Sequence, residues 1–431
     1  MRGISSSIGK IGRNTFSSLS IRNYRLYFIG QGISLSGTWM QIIGQSWLVL
    51  KLTGSGTALG LVTALQFLPM LILAPWGGVV ADRFNKRRLL YITQSAAGIL
   101  ALVLAVLVAV NIVKLWMVYL LAAALGLVNS IDNPTRQTFV YELAGRNELR
   151  NAVTLNSTEI NLTRVIGPAL ASAIIATIGL APCFFINASS YVAVLVCLLL
   201  MRGQELYTVE PVQRARGQLR EGFRYVRNTP ILRDVLVMMA IIGTLTYEFQ
   251  VTLPLLAKYT FHGNAGSYAL LTAAMGTGAV IGGLATASRR KTAPKGLIVT
   301  ALAFGAAVLM AAFSPSLLTA ILAMVIVGVF SISFTALDNT ILQQASDPNM
   351  RGRVMALWTV AFLGSTPVGG PIIGWIGEHS NPRWALGVGG LAALTAGIYG
   401  VIAMRNYPTE RAPGDSEMVP PVSSEEDTQV L

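Results

Sequence analysis

Charged residues are scarce in this chain. Asp, Glu, Lys and Arg make up 12% of its 431 residues, while 53% are hydrophobic and the mean hydropathy is +0.60. Soluble domains are about 25% charged, so this composition excludes an ordinary water-soluble protein. The apolar runs have about the twenty residues of a membrane-spanning helix, and the short alternating segments of a transmembrane barrel are missing. We therefore predict an all-α membrane protein.

Cysteine and histidine are almost absent. The two cysteines, Cys183 and Cys197, fall in one apolar segment, which is typical of small buried side chains and offers no disulfide framework or metal-ligand spacing. The two histidines, His262 and His379, are far apart and near predicted segment ends, and no Gly-x-x-x-x-Gly-Lys-Ser/Thr phosphate loop occurs. The sequence thus predicts neither an enzyme nor an ATP-driven pump, with no catalytic residue, cofactor or metal.

Apolar segments and basic loops predict the topology. Segments near the ~20 residues that a bilayer requires lie at 25–50, 57–81, 88–110, 115–138, 151–177, 180–202, 231–257, 267–288, 296–313, 316–343, 353–377 and 383–405. About 27 of the 32 basic residues fall on the side of the termini and about four on the other. We expect a multi-pass protein of the bacterial cytoplasmic (inner) membrane with both termini in the cytoplasm. The net charge of +13 then follows from the Lys and Arg residues of the cytoplasmic loops. We expect the lipid bilayer, and no nucleic acid, as a partner.

Loop length and composition divide the chain into five predicted parts. They are a cytoplasmic N-terminal segment (1–24), an N-terminal six-helix bundle (25–202), a cytoplasmic linker with an amphipathic helix (203–230), a C-terminal six-helix bundle (231–406) and a disordered acidic cytoplasmic tail (407–431).

An internal repeat supports two equivalent bundles. Three unusual features of the first half recur about 203 to 206 residues later, as expected for a duplicated six-helix unit. The matching positions are Asp132-Asn133 with Asp338-Asn339, Arg150 with Arg353, and Gly167-Pro168 with Gly370-Pro371. Parallel halves of this kind surround a central cavity near the middle of the bilayer in one class of transporters. We therefore predict two pseudo-symmetric bundles of six helices, twelve in all.

A charged turn between the second and third segments carries the resemblance to a family. The pattern Gly-x-x-x-Asp-Arg-x-Gly-Arg-Arg/Lys marks this loop in the major facilitator superfamily, and its positions are filled here by Gly78, Asp82, Arg83, Lys86 and Arg87. Asn85 replaces the second glycine, and we expect it to adopt left-handed backbone geometry, which Asn tolerates. The chain resembles this superfamily over nearly its whole length.

Further motifs resemble one group within the superfamily, the enterobactin-exporter-like transmembrane secretion effectors. They are the run from Asp132 to Gln137, Asn151-Ala152, and the run from Arg164 to Pro168. Members of that group export siderophores, macrolides and other amphipathic compounds. The resemblance implies a monomeric secondary transporter that exports a small siderophore or drug-like molecule by alternating access and proton antiport. An uptake symporter for a small organic solute on the same fold is the alternative.

The charged turn also predicts a gate. In the superfamily, contacts of its acidic residue latch the cytoplasmic side in the outward-open state. The resemblance implies the same here, because a carboxylate at this position can bind a helix N-terminus and a base. The latch candidates are Gly78, Asp82, Arg83, Lys86, Asp132 and Asp338. We expect Arg87 and Arg88 only to fix the topology.

Ionisable and polar residues inside the spans are the remaining candidates. Glu159 and Glu248 lie deep in predicted helices, where a carboxyl group is suited to carry a proton. The alternative for the first is a structural ion pair involving Arg164. Predicted to line the substrate cavity are Gln31, Thr38, Gln41, Gln45, Asn156, Arg164, Asn187 and Tyr191. Helix–helix packing explains isolated polar residues equally well.

Overall fold

The computed structural model describes residues 16–207, 218–287 and 294–405, which are almost entirely helical. The predicted acidic tail, the first fifteen residues and the basic stretch 208–217 of the linker lie outside the described residues. The all-α prediction is confirmed.

The first half of the chain forms five helices. They are α1 (Arg22–Thr53), α2 (Gly56–Arg83), α3 (Lys86–Ala109), α4 (Leu115–Thr177) and α5 (Leu180–Leu200). The long α4 is kinked at Gly145, whose φ of +65° favours glycine. The Tyr207 ring packs against this glycine, and a Cβ there would lie 2.7 Å from it. The kink divides α4 into two lengths that each suit a bilayer.

The described residues of the second half form nine α-helices, some of them short. They are α6 (Gln218–Asn228), α7 (Pro230–Leu245), α8 (Phe249–Leu255), α9 (Ala265–Ala287), α10 (Pro294–Ala312), α11 (Leu317–Ala345), α12 (Arg351–Phe362), α13 (Thr366–His379) and α14 (Pro382–Ala403). A π-helical turn extends α8 to Thr260. Helices α7 and α8 continue one another across a break, as do α12 and α13, so that each pair covers one span.

Within the described residues, ten stretches are long and apolar enough to cross a membrane. They include both parts of α4 as one stretch and omit α1, which has 32 residues but is interrupted by polar side chains. With the kink in α4 and the length of α1 taken into account, the helices are consistent with the predicted twelve.

The two halves pack against each other at one end of the bundle. We call this end, which carries the α1–α2 turn, the Gly54 face, and the opposite end, which carries the α2–α3 turn, the Asp82 face. Glycines bring α2 and α13 together: a Cβ on Gly370 would lie 3.1 Å from the Gly60 carbonyl oxygen. Likewise a Cβ on Gly276 of α9 would lie 2.8 Å from the Arg164 oxygen of α4.

Space opens beside α9 toward the Asp82 face. Gly283 lies two turns beyond Gly276 on the same side of α9, and a Cβ there would meet no described atom within 4 Å. On the Gly54 face, by contrast, hydrogen bonds connect the two halves. Glu378 accepts from the Ser55 hydroxyl (2.6 Å) and the Thr57 amide (2.9 Å), and the Lys258 ammonium donates to the Leu50 carbonyl (2.7 Å). The structure is therefore closed at the Gly54 face.

The glycine contact predicts a sharp difference between two alanine substitutions. Gly60→Ala should lower the thermal unfolding midpoint of the purified protein by several degrees, because the new methyl group meets the Gly370 backbone and overpacking costs about 1–3 kcal/mol. Gly283→Ala, on open space in α9, is the control and should leave the midpoint unchanged or raise it slightly, because alanine favours a helix by about 0.5–1 kcal/mol over glycine. Equal midpoints for both variants would contradict the close packing of α2 on α13.

Candidate functional site

A polar cavity lies between α1, α2, α5 and α8. The cavity is narrow and has room for about one water molecule. It is lined by Thr38, Gln41, Gln45, Thr63, Gln66, Asn187, Tyr191 and Gln250, with apolar neighbours such as Leu59 and Leu125. The helical spacing of Thr38, Gln41 and Gln45 turns these side chains of α1 to one side. The structure thus brings together five of the predicted cavity residues, and it adds Gln66 and Gln250, which the sequence reasoning missed.

Hydrogen bonds fix several of the side chains that line this cavity. The Asn187 amide of α5 donates to Gln41 Oε1 of α1 at 2.6 Å. Gly37 lets the two helices approach, since a Cβ there would lie 2.7 Å from Asn187 Oδ1. Thr38 donates to the Ser34 carbonyl, so its oxygen stays available as an acceptor. The walls therefore offer several amide and hydroxyl groups to a ligand.

Gln31 belongs to a separate cluster of charges at the centre of the first half. Arg136 Nε lies 2.7 Å from Asp132 Oδ2, four residues earlier on α4, and the Arg136 guanidinium also donates to Gln31 Oε1 at 3.2 Å. Asp132 Oδ1 accepts from Thr93 (2.6 Å) and Gln94 (2.8 Å) of α3. Asp132, predicted as part of the gate, thus pairs within its own half.

Glu159 is a buried acid beside this cluster. Only 4% of its surface is exposed, and its Oε1 packs against Gly32 of α1, where a Cβ would lie 2.8 Å away. Neither carboxylate oxygen has a hydrogen-bond partner among the described residues. Arg136 is near enough to act on it electrostatically, although the two form no ion pair in the described part of the chain. The carboxyl group therefore has a base in range but no fixed partner.

Glu248 occupies the break between α7 and α8. Its side chain is 2% exposed and faces α13, where a Cβ on Gly369 would lie 2.9 Å from Glu248 Oε1. The Thr366 hydroxyl interacts with the carboxyl group, and Oε1 has no hydrogen-bond partner within the described residues. A second buried acid thus contacts one of the helices that close the Gly54 face.

Arg164 lies on the second part of α4. Its guanidinium carbon is 5.6 Å from the ring centre of Trp39, and its Nε has no hydrogen-bond partner among the residues that the structure describes. The structural ion pair considered as the alternative for Glu159 is absent from the described residues. Asn156, on the same helix, is partly buried and does not line the polar cavity.

Two predictions about the charged turn, the backbone geometry of Asn85 and the role of Arg87, differ from what the structure shows. Asn85 has φ −61° and ψ 114°, so it is not left-handed; it instead caps α3 by accepting from the Arg88 amide at 3.0 Å. Arg87 does more than fix topology, because its guanidinium donates to the Leu198 carbonyl at 2.7 Å, where α5 ends.

Two further gate candidates, Lys86 and Asp338, bond within one half. Lys86 Nζ lies 2.7 Å from Glu142 Oε1 of α4, and both side chains are largely buried. Asp338 is fully buried and accepts from Trp358 Nε1 at 2.6 Å. Gly78 is buried, while Asp82 and Arg83 close the last turn of α2. Their part in a gate stays a prediction.

The Lys86–Glu142 pair predicts a strong dependence of stability on both partners. Lys86→Met leaves Glu142 buried without a base, which costs about 3–5 kcal/mol, so we expect a marked fall in the thermal unfolding midpoint. Adding Glu142→Gln removes the stranded charge and should recover much of the loss. A double variant no more stable than the single one would contradict a buried pair.

Comparisons with known proteins agree with this architecture. A family model described as transmembrane secretion effector matches residues 13–427. The staphyloferrin A transporter of Staphylococcus aureus is 27% identical over 260 residues, which cover 60% of this chain and 65% of that protein, just under two thirds of its length. The enterobactin exporter EntS of Salmonella typhi is 25% identical over 380 residues, covering 87% and 90%.

The fold also matches a solved transporter. The crystal structure of the nucleoside transporter NupG superposes with a TM-score of 0.71 at 12% identity, covering 90% of this chain and 100% of that one. The resemblance found in the sequence is confirmed, and so is the transporter class in place of an enzyme. The chain belongs to the transmembrane secretion effector family of the major facilitator superfamily and is a multi-pass membrane transporter.

Proposed function

We propose that this transporter exports a small amphipathic molecule, a siderophore or drug-like compound, in exchange for protons. Its Asp82 face and both termini lie in the cytoplasm, and one copy of the chain is the working unit. The observation that carries the proposal is Glu159, a buried carboxyl group with no hydrogen-bond partner among the described residues and with Arg136 in electrostatic range.

Proton exchange follows from the surroundings of Glu159. An ionised carboxylate without a partner is costly in the membrane interior, so the protonated form is favoured while Arg136 is held by Asp132. If Arg136 swings from Asp132 toward Glu159, the ionised form gains a counter-charge and the proton leaves. Gln31 accepts from the same guanidinium, and it lies on α1 with the cavity residues Gln41 and Gln45. Loss of a proton and rearrangement of α1 are thereby linked.

Glu248 supplies a second proton site with a mechanical role. It faces Gly369 and Gly370 on α13, the helix whose glycines pack on α2 at the Gly54 face. An ionised Glu248 would have no counter-charge in this apolar contact. Because such a charge is costly, ionisation favours separation of α7 and α13. Protonation favours the closed arrangement. The charge on Glu248 therefore biases opening of the Gly54 face, the step that releases cargo outside.

The alternating states use different contacts at the two faces. The Gly54 face opens when the bonds of Glu378 and Lys258 to the α1–α2 turn break. The turn around Asp82 and Arg83 then latches the opposite face, as in other members of the superfamily. Cargo enters the polar cavity from the Asp82 face, where amide and hydroxyl groups bind its polar atoms.

The choice of export and of siderophores rests on the relatives. Enterobactin exporters align with 87% of this chain, and a staphyloferrin A transporter aligns with 60%. Cells lacking their own siderophore exporters provide the test, with secreted siderophore measured after expression of this chain. We expect restored secretion and lower intracellular siderophore. A rise in uptake of external siderophore without secretion would overturn export in favour of the uptake symporter.

The proton sites predict separable transport activities. In proteoliposomes, Glu159→Gln and Glu248→Gln should each reduce efflux driven by an imposed pH gradient at least tenfold, because neither amide can release a proton. Exchange of labelled for unlabelled cargo needs no net proton movement and should persist.

An exposed acid provides the control for these variants. Glu205 lies in a short 3-10 helix after α5 and pairs with Arg202 at the surface, so Glu205→Gln should retain both activities. Full gradient-driven efflux in both the Glu159→Gln and Glu248→Gln proteins would rule out proton coupling through these two groups.

A further inference from the structure

Arg164 is a partly buried cation that has no acidic partner among the described residues. Its guanidinium stays charged under all physiological conditions, and an unmatched charge inside a membrane is costly. No described acid forms an ion pair with it. Glu159, five residues earlier on the same helix, is turned about 140° away at 100° per residue. Glu248 instead faces Thr366 and the glycines of α13. The site therefore holds an uncompensated positive charge.

Aromatic side chains from both halves flank this charge. The Arg164 guanidinium carbon lies 5.6 Å from the ring centre of Trp39 of α1, and Tyr247, at the α7–α8 break in the second half, acts on this guanidinium electrostatically. The Tyr247 hydroxyl bonds to Thr335 (2.7 Å) and to the Ser331 carbonyl (2.9 Å), which fixes the ring. Phe362 packs edge-on against that ring at 5.1 Å, and Trp358 stacks on Phe362 at 5.3 Å. Tyr247, Phe362 and Trp358 thus form an aromatic wall, and Tyr247 is the member within electrostatic range of the cation.

We propose that Arg164 is the docking point for an acidic group of the cargo, a carboxylate or ionised phenol attached to an aromatic ring. The acid pairs with the guanidinium while the ring packs against Trp39 or the wall around Tyr247. This inference rests on the proposed transport function and adds the chemical class of cargo. Neutral compounds leave the cation unmatched, so the site discriminates against them.

The depth of Arg164 argues against a lipid phosphate as the partner. It lies fourteen residues beyond Arg150, which is about 21 Å along the helix at 1.5 Å per residue. That distance takes it well past the headgroup region of a hydrocarbon core of about 30 Å. A soluble anion that enters the space between the halves can reach it, whereas a lipid headgroup remains at the bilayer surface.

Two aromatic probes of the same shape test the charge requirement. Binding of 2-naphthoate and of its neutral amide, 2-naphthamide, is measured by equilibrium dialysis on the full chain in lipid nanodiscs, with empty nanodiscs as the blank. We expect the acid to bind at least tenfold more tightly than the amide. Arg164→Gln should bring the two affinities within about twofold by weakening the acid alone, while Arg164→Lys keeps part of the preference. Arg88→Gln removes an exposed charge from the α2–α3 turn and should behave as wild type.

Specific results would overturn the assignment. They are a wild-type protein that binds 2-naphthoate no better than the amide, or not at all, and an Arg164→Gln protein that keeps the full preference. Poor folding of the glutamine variant does not protect the proposal, because the wild-type comparison alone can reject it. Failure of the secretion test with the preference intact would reject export but not the anion site. Secretion without any preference would reject the anion site alone.

Discussion

Lipid offers no water to an ionised side chain, and this constraint sorts the charges of the molecule into two groups. The first group is paired inside one half, as Lys86 is with Glu142 and Asp132 with Arg136. The second group, Glu159, Glu248 and Arg164, has no ion-pair partner in the described part of the chain, and a further buried acid, Asp338, has only the neutral Trp358 indole as a donor. The described residues provide no paired counter-charge for the three members of the second group, and we have proposed protons as the partners of the two acids and cargo as the partner of Arg164. The paired charges hold each half together.

The contacts between the halves are of a different kind. The ion pairs described in the structure all join residues of the same half, whereas α2 meets α13 through Gly60 and Gly370. Glycine contacts in a membrane depend on close backbone approach and van der Waals packing, without charge. A few hydrogen bonds at the Gly54 face, such as those of Glu378, add to them. Two internally bonded halves with such a boundary can separate at one face without breaking a buried ion pair.

Much of this architecture could be predicted from sequence. The length of the apolar segments and the charge of the loops determine the spanning helices. The cavity residues Thr38, Gln41 and Gln45 could be predicted because they follow helical spacing. Contacts between helices and breaks within them could not be predicted from the sequence. Gln31 shares the stripe with Gln41, but ten residues, or about 15 Å of helix, separate the charge cluster from the cavity. The break between α7 and α8 could not be predicted, because positions 246–248 contain no glycine or proline. The partner of Lys86 lies 56 residues away, beyond any local pattern.

The two arginines of α4 show why one is internally matched and the other is open to a ligand. Arg136 has an acid four residues before it and Asn133 three before it, and it bonds to both. At the same offsets Arg164 has Ile160 and Asn161, and Asn161 donates to the Ser157 carbonyl instead. Toward the other end stand Gly167 and Pro168, which carry no acceptor side chain. Helix α4 therefore gives Arg164 no counter-charge, and an anion that balances it must come from outside the helix, which is the property required of a cargo site.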